Sequence, residues 1–402
     1  MKRSLRRLAA FTLAAAGLAA AIVAGMGGLA ANAASKKPIV FGFATAQTGP
    51  ISAFDKPGVI GATLAIDALN KTGGILGRPI KIVAADTQSS IAQGSIAGDQ
   101  VIADGANAVF VTPDYNFGGG AAREAQKHGL ISISMGAGSP LFGVQGIGTL
   151  AYTMGMAAQT DGTIAAEWGY KVKHWRTAYM LNDTTTTYDT QYCSSFTTIW
   201  RQLGGKILGQ STFANTDPTI QTQVTAITSL SKAPDVIAVC SYGAGNAVAV
   251  KQLRDAGVKS ALFGDNSDDG TSWYQSSIPT LSNYYYGDSA SSYGDDPSAA
   301  VNAFDRAYKA KTGAWPPNVY ALLGYVGVQA VAHAMDKAGT TNGKAVAAVM
   351  NTYNKQPFAV TVTFTPTLHI DTNRKERMIQ VQNGKHSVAG LWTAQKRLPL
   401  FG

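Results

Sequence analysis

Two glycine-rich segments hold residues whose types and spacing could do chemistry. Thr112-Pro113-Asp114-Tyr115-Asn116-Phe117-Gly118-Gly119-Gly120 follows an apolar run, Ala108 to Val111, and opens a helical pattern that runs from Gly120 to His128. Glycines permit close backbone approach, and the N–H groups at a helix start attract an anion such as a carboxylate. Met135-Gly136-Ala137-Gly138-Ser139-Pro140 follows the next run, Leu130 to Ser134. Each loop alone reads equally as a flexible turn; two at successive strand ends favour a ligand site. Tyr188, Tyr242 and Asn266, with Trp273 close behind, stand at the ends of later runs. Aromatic rings at such places either pack domains together or form a stacking floor for a ligand, and both readings stand.

Catalytic patterns are missing. There is no Gly-x-Ser-x-Gly elbow, no phosphate loop closing on Gly-Lys-Ser/Thr and no complete Gly-x-Gly-x-x-Gly fingerprint. His128, His174, His333, His369 and His386 stand alone, without metal-ligand spacing, and read as surface or satisfied histidines. Asp265-Asn266-Ser267-Asp268-Asp269-Gly270 opens like a calcium loop, but position twelve is Ser276 where a bidentate Glu is needed. A turn lining a cleft explains it better. Neither a cofactor nor a metal is expected, and an enzyme is not.

The 402-residue chain begins with Lys2, Arg3, Arg6 and Arg7, then an almost uncharged run from Leu8 to Ala31, closing on Ala31-Asn32-Ala33. A basic head, an apolar middle and a small-residue exit describe a secretory signal peptide over residues 1–33, cleaved near Ala33. An uncleaved anchor is the alternative, since the run is long enough to span a bilayer. No cysteine near the exit offers a lipid attachment point, which points to a free protein of the periplasm. Taking the leader's four basic residues from 33 leaves 29 against 24 acidic ones, scattered without the basic stripe that nucleic acid requires. Cys193 and Cys240 would sit in an oxidising compartment; sequence leaves a disulfide and two free thiols both open.

Short apolar runs alternate with helical patterns along the mature chain. Strands are expected at Ile39–Phe43, Ile80–Ala85, Ala108–Val111, Leu130–Ser134, Thr177–Leu181, Lys206–Gly209, Val236–Cys240 and Ala261–Phe263, with helices such as Gly58–Asn70, Ile91–Asp104 and Ala244–Ala256 between them. This alternation predicts α/β domains built on doubly wound parallel sheets. The tail differs, with strands expected at Ala359–Phe364 and Met378–Gln382 joined by polar turns. Ligands of such sheets bind at the carboxyl ends of strands, so the loops after Phe43, Val111, Ser134, Leu181, Cys240 and Phe263 are the candidates.

The opening from Pro38 to Gln88, with Thr48-Gly49-Pro50 and Gly73-Gly74-Ile75-Leu76-Gly77-Arg78, resembles the branched-chain amino-acid-binding, type I periplasmic solute-binding proteins of ABC importers. The resemblance continues through the stretches beginning at Gln100, Ala125, Val236 and Gln380 and covers nearly all of the mature chain. It implies two α/β lobes joined by three hinge crossings near Met154, Tyr286 and Gln356: residues 38–154 plus 287–356, and 155–286 plus 357–402. It implies a monomer that captures a small-molecule ligand and hands it to the membrane permease subunits of an importer. The same fold could instead report its ligand to a membrane receptor. Carried over, the ligand contacts are Phe54, Tyr115, Asn116, Phe117, Gly136, Ala137, Gly138, Tyr188, Tyr242 and Asn266. Gly138 stands where the family has a hydroxyl, and neutral Asn266 where it has an acid, with Asp265 and Asp268 close. Those departures and the aromatic set widen the expected ligand from an amino acid to an aromatic acid or amide.

Overall fold

The computed structural model describes residues 37–401; the expected leader and its exit at Ala33 lie outside them. Runs that are apolar on both faces become parallel strands, each followed by a covering helix. The first set is β1 (Ile39–Thr45), α1 (Ser52–Lys71), β2 (Ile80–Asp86), α2 (Ile91–Ala103), β3 (Ala108–Val111), α3 (Tyr115–Lys127), β4 (Ile131–Ser134) and β5 (Ala151–Thr153). These strands form one sheet in the order β2-β1-β3-β4-β5, parallel throughout. Phe41, Phe43 and Phe110 pack at its centre, with Phe43 stacked on Phe110 at 4.8 Å.

A second set repeats the rhythm: α4 (Ala158–Lys171), β6 (Thr177–Asp183), α5 (Thr187–Gln202), β7 (Lys206–Phe213), α6 (Gln221–Thr228), β8 (Val236–Cys240), α7 (Gly243–Asp255), β9 (Ala261–Phe263) and β10 (Tyr284–Asp288). The chain then returns to the first sheet through α8 (Ala299–Thr312), α9 (Tyr320–Ala338) and α10 (Gly343–Met350), whose apolar residues join the cluster around Phe41. A small hairpin, β11 (Gln356–Pro357) and β12 (Thr361–Val362), follows, and β13 (Glu376–Gln382) and β14 (Lys385–Trp392) end the chain's regular structure. The second sheet runs β14-β13-β10-β9-β8-β6-β7, parallel except where β13 and β14 add antiparallel at one edge. Strand order reverses at β1/β3 in one sheet and at β6/β8 in the other, which opens a crevice at the carboxyl end of each.

Three differences from the sequence reading have physical causes. Helix α3 starts at Tyr115, five residues earlier than expected, because the Asp114 side chain caps it by accepting from Asn116 N and Phe117 N. The strand expected over Ala359–Phe364 shrinks to β12, paired only with β11, and Val360, Val362 and Phe364 bury in the first cluster, past the Gln356 expected as a crossing. Tyr286, placed at another crossing, lies mid-strand in β10, between β9 and β13. Cys193 on α5 and Cys240 at the end of β8 are joined by a disulfide, Cα–Cα 5.8 Å, so the helix is tied to the strand it covers. Among the described residues no helix is long and apolar enough to cross a membrane.

Helices α1 and α9 approach each other through glycine. A side chain at Gly61 would strike the carbonyl of Ala321, and one at Gly324 the backbone of Gly58. That close packing brings the start of α9 beside the start of α1, with Phe54 and Tyr320 edge to face at 5.6 Å.

Candidate functional site

The loops after β1, β3, β4, β6, β8 and β9 converge on one cavity, joined by the first residue of α9. Its walls are Ile51 and Phe54; Thr112, Pro113, Asp114 and Phe117; Gly136 and Gly138; Thr186, Tyr188 and Asp189; Tyr242; Asn266 and Ser267; and Tyr320. A narrow cleft, partly open to solvent, lies between these walls. Both sheets contribute, and they touch across it. Thr187 N donates to Asn116 Oδ1 at 3.1 Å, Ala158 N to Gly138 O at 2.7 Å, and Val319 N to Asp269 Oδ2 at 2.6 Å.

Seven of the ten expected ligand contacts line this cavity: Phe54, Phe117, Gly136, Gly138, Tyr188, Tyr242 and Asn266. Three do not. Tyr115 hydrogen-bonds through its hydroxyl with Arg123, which also lies over its ring, beside the cluster around Val111. Asn116 spends its side-chain oxygen on the contact with Thr187. Ala137 is fully buried, and its carbonyl accepts from Thr153 Oγ1.

Gly138, which stands where the family has a hydroxyl, and its neighbour Gly136 both have a steric reason. A Cβ at Gly138 would lie 2.4 Å from the Tyr188 ring, and one at Gly136 would lie 2.7 Å from the Tyr320 ring. Tyr188 is held there by donating to Asp161 Oδ2 at 2.9 Å. The missing hydroxyl at 138 is therefore the space the tyrosine ring occupies.

Anion binding at the start of α3, expected from its glycines, meets an obstacle: Asp114 already occupies the N–H groups of residues 116 and 117 at 2.7 and 2.9 Å. At the start of α5, Thr186 Oγ1 likewise accepts from Asp189 N and donates to Asp189 Oδ2. Asp189 is 1 % exposed. Burial, with the Asp265 charge next, pushes the Asp189 carboxyl well above the usual range; burial pushes Asp265 up to about 7. Burial raises the Tyr188 and Tyr242 hydroxyls too, so both stay protonated at neutral pH.

The calcium-like segment turns its carboxylates inward. Asp265 accepts from Ser267 N, Asp268 from Asn246 and Tyr284, and Asp269 from Tyr286 and Tyr293. Among the described residues no group of His, Cys, Asp or Glu could hold a metal. No histidine lines the cavity. His369 stacks on Tyr152 at 3.9 Å, and His386 meets the hydroxyls of Tyr274 and Tyr286.

Comparison with known proteins follows this geometry. The profile of the family described as "Periplasmic binding protein" matches residues 38–385. The chain belongs to that family. The Leu/Ile/Val-binding protein homolog 1 of Brucella suis biovar 1 (strain 1330) is 26% identical over 327 residues, 80% of this chain and 83% of that protein. Among solved structures, the branched-chain amino acid transporter substrate-binding protein LivJ from Streptococcus pneumoniae, in complex with isoleucine, matches with a TM-score of 0.79 and 24% identity, covering 89% of this chain and 100% of that one. A solute-binding protein of an ABC transporter from R. palustris, in complex with benzoate, matches with a TM-score of 0.76 and 18% identity, covering 88% and 96%. The fold of this periplasmic binding protein is thus the type I, two-lobed α/β architecture.

Sequence reasoning missed Ile51, Thr186, Asp189 and Tyr320 as cavity residues, while Ser267 lies in the Asp265–Gly270 turn expected to line a cleft. Asp189 follows Tyr188 directly, so the helix start already singled out contained it. Tyr320 carried no signal, because it comes from the return passage and follows no strand.

Proposed function

We propose that this periplasmic binding protein captures a small polar solute between its lobes and delivers it to the permease subunits of an ABC importer. The convergence of six strand-end loops from two sheets on one cavity carries the reading. Phe54, Phe117, Tyr188, Tyr242 and Tyr320 suit a ligand with an apolar or planar body, an amino acid, aromatic acid or amide. The isoleucine and benzoate complexes of the similar proteins support that range. Binding without catalysis fits a cavity with no histidine, whose Thr186 and Tyr188 hydroxyls already donate to Asp189 and Asp161. The lobes pivot where the chain passes between the sheets, and closure buries the solute. Export through the N-terminal leader places the chain in the periplasm, where it acts as a monomer.

A ligand that binds only the folded chain raises its melting temperature by mass action. A thermal-shift screen of amino acids, aromatic acids, amides, short-chain acids and amines is expected to give a saturable rise with at least one class. A folded, ligand-free preparation that no compound shifts would overturn the reading.

A further inference from the structure

We propose that Arg374 is the pivot pin of lobe closure: one buried guanidinium ties together the three stretches of chain that pass between the sheets and fixes the axis about which the lobes turn. The proposal rests on the solute-capture reading and names the residue that positions the two walls of the cleft.

The chain leaves the first sheet between Thr153, the end of β5, and Ala158, the start of α4. It returns between Asp288, the end of β10, and Ala299, the start of α8. It leaves again between Phe364, in the first core, and Glu376, the start of β13. Arg374 lies in this third passage and is 4 % exposed. Its Nη1 donates to Met154 O of the first passage at 3.0 Å and to Ser289 Oγ of the second at 2.9 Å. Its Nε donates to Thr361 O of β12, on the first-lobe side of the third passage, at 3.1 Å. Asp371 Oδ2 stands 3.9 Å from Nη2, so the buried charge has an acid beside it. A planar guanidinium holds several donors in a fixed fork, and a lysine ammonium on its flexible stem cannot hold the same three acceptors. Backbone bonds join the passages too: Thr153 N donates to His369 O at 3.1 Å, and Ala157 N to Asp371 O at 2.9 Å. Arg377 adds a bond from Nη1 to Ser289 O at 2.7 Å. Hinge closure concentrates its torsional change in a few residues, and bonds gathered where all passages meet lie nearest the axis, where rotation disturbs them least. The first passage also abuts the cleft. A Cβ at Gly155 would lie 2.5 Å from Gly136 O and 2.6 Å from Ala137 O. The bond from Arg374 to Met154 therefore sets that passage against the loop carrying Gly136 and Gly138.

The test reads the distance between lobes in the ligand-free mature chain, so it needs no identified solute. Lys56→Cys on α1 and Lys251→Cys on α7, both exposed positions, carry spin labels, and double electron–electron resonance gives the distribution of distances between them. Arg374→Lys keeps the charge and loses the fork; it is expected to broaden the distribution about twofold or more. Ser289→Ala removes one of the three bonds and leaves the guanidinium in place; it should broaden the distribution less, in the same direction. Val331→Ala, a change in the core of the first lobe, should lower the melting temperature and leave the native width, which separates a loosened pivot from lost stability. A native width in folded Arg374→Lys overturns the proposal; where that variant does not fold, a native width in Ser289→Ala does so. Equal broadening in Val331→Ala also overturns it. Each of these results leaves solute capture standing, because the thermal-shift screen decides on that reading separately.

Discussion

At the scale of single residues, Gly138 decides the shape of the pocket, because its missing side chain is the seat of the Tyr188 ring. Gly138→Thr, which restores the hydroxyl expected from the family, should expel that ring and break its bond to Asp161. Overpacking of this kind costs about 1–3 kcal/mol. Urea unfolding should show the loss, and affinity for any cleft ligand should drop; unchanged stability would mean the ring is not lodged there. The sequence exposed this position as a departure but could not say what filled it, since the filler comes from the other lobe. Asp189 was hidden for a related reason. An acid in the first turn of a helix is ordinary for capping, and only the fold shows that it faces a cavity and another carboxyl. Tyr115 misled in the opposite way: in a loop it would reach the ligand, whereas Asp114 draws it into the first turn of α3 beside Arg123.

At the scale of elements, the α1–α9 contact sets the first wall. Gly61 lets the helices touch backbone to backbone, and this brings Phe54 and Tyr320 edge to face. Gly61→Ala is expected to push α9 away from α1. The melting temperature should fall, and ligand affinity should weaken because two aromatic walls separate. Full affinity in a folded Gly61→Ala protein would contradict that coupling. The alternating strands and helices were legible because a parallel strand is apolar on both faces and its helix on one. The six strand-end loops named from that rhythm all reach the cavity. What was not legible came from long-range pairing: β14 alternates in burial as an exposed edge strand, β10 sits between strands of different origin, and α9 returns to the first sheet from 170 residues downstream of Leu150.

At the scale of the whole molecule, the lobes meet over an unusually acidic interior. Burial raises Asp55 and Asp305 to about 7, as it does Asp265, and Asp161 to about 6. An acid whose folded value is raised stabilises the fold fully below its unfolded value near 4, and that contribution is lost as pH rises through 6–7. His369 and His386, lowered by burial to about 4, work the other way: their contribution is full above about 6.5 and lost as pH falls towards 4. The four acids outweigh the two histidines across that range, so the melting temperature should decline from about pH 4.5 to about pH 7 and level off above. Asp305→Asn should flatten the decline, and a steady rise from pH 6 to 8 would refute it. Two lobes were legible in the sequence from the doubled rhythm; how they touch was not, because contacts such as Asn116 with Thr187 join residues from different lobes. The most direct measurement titrates a compound found by thermal shift into the native chain and into Tyr242→Ala, by calorimetry. Capture in the cleft requires one site per chain and at least tenfold weaker binding in the variant, with the fold intact. Binding of equal strength in both, or at several sites per chain, would contradict it.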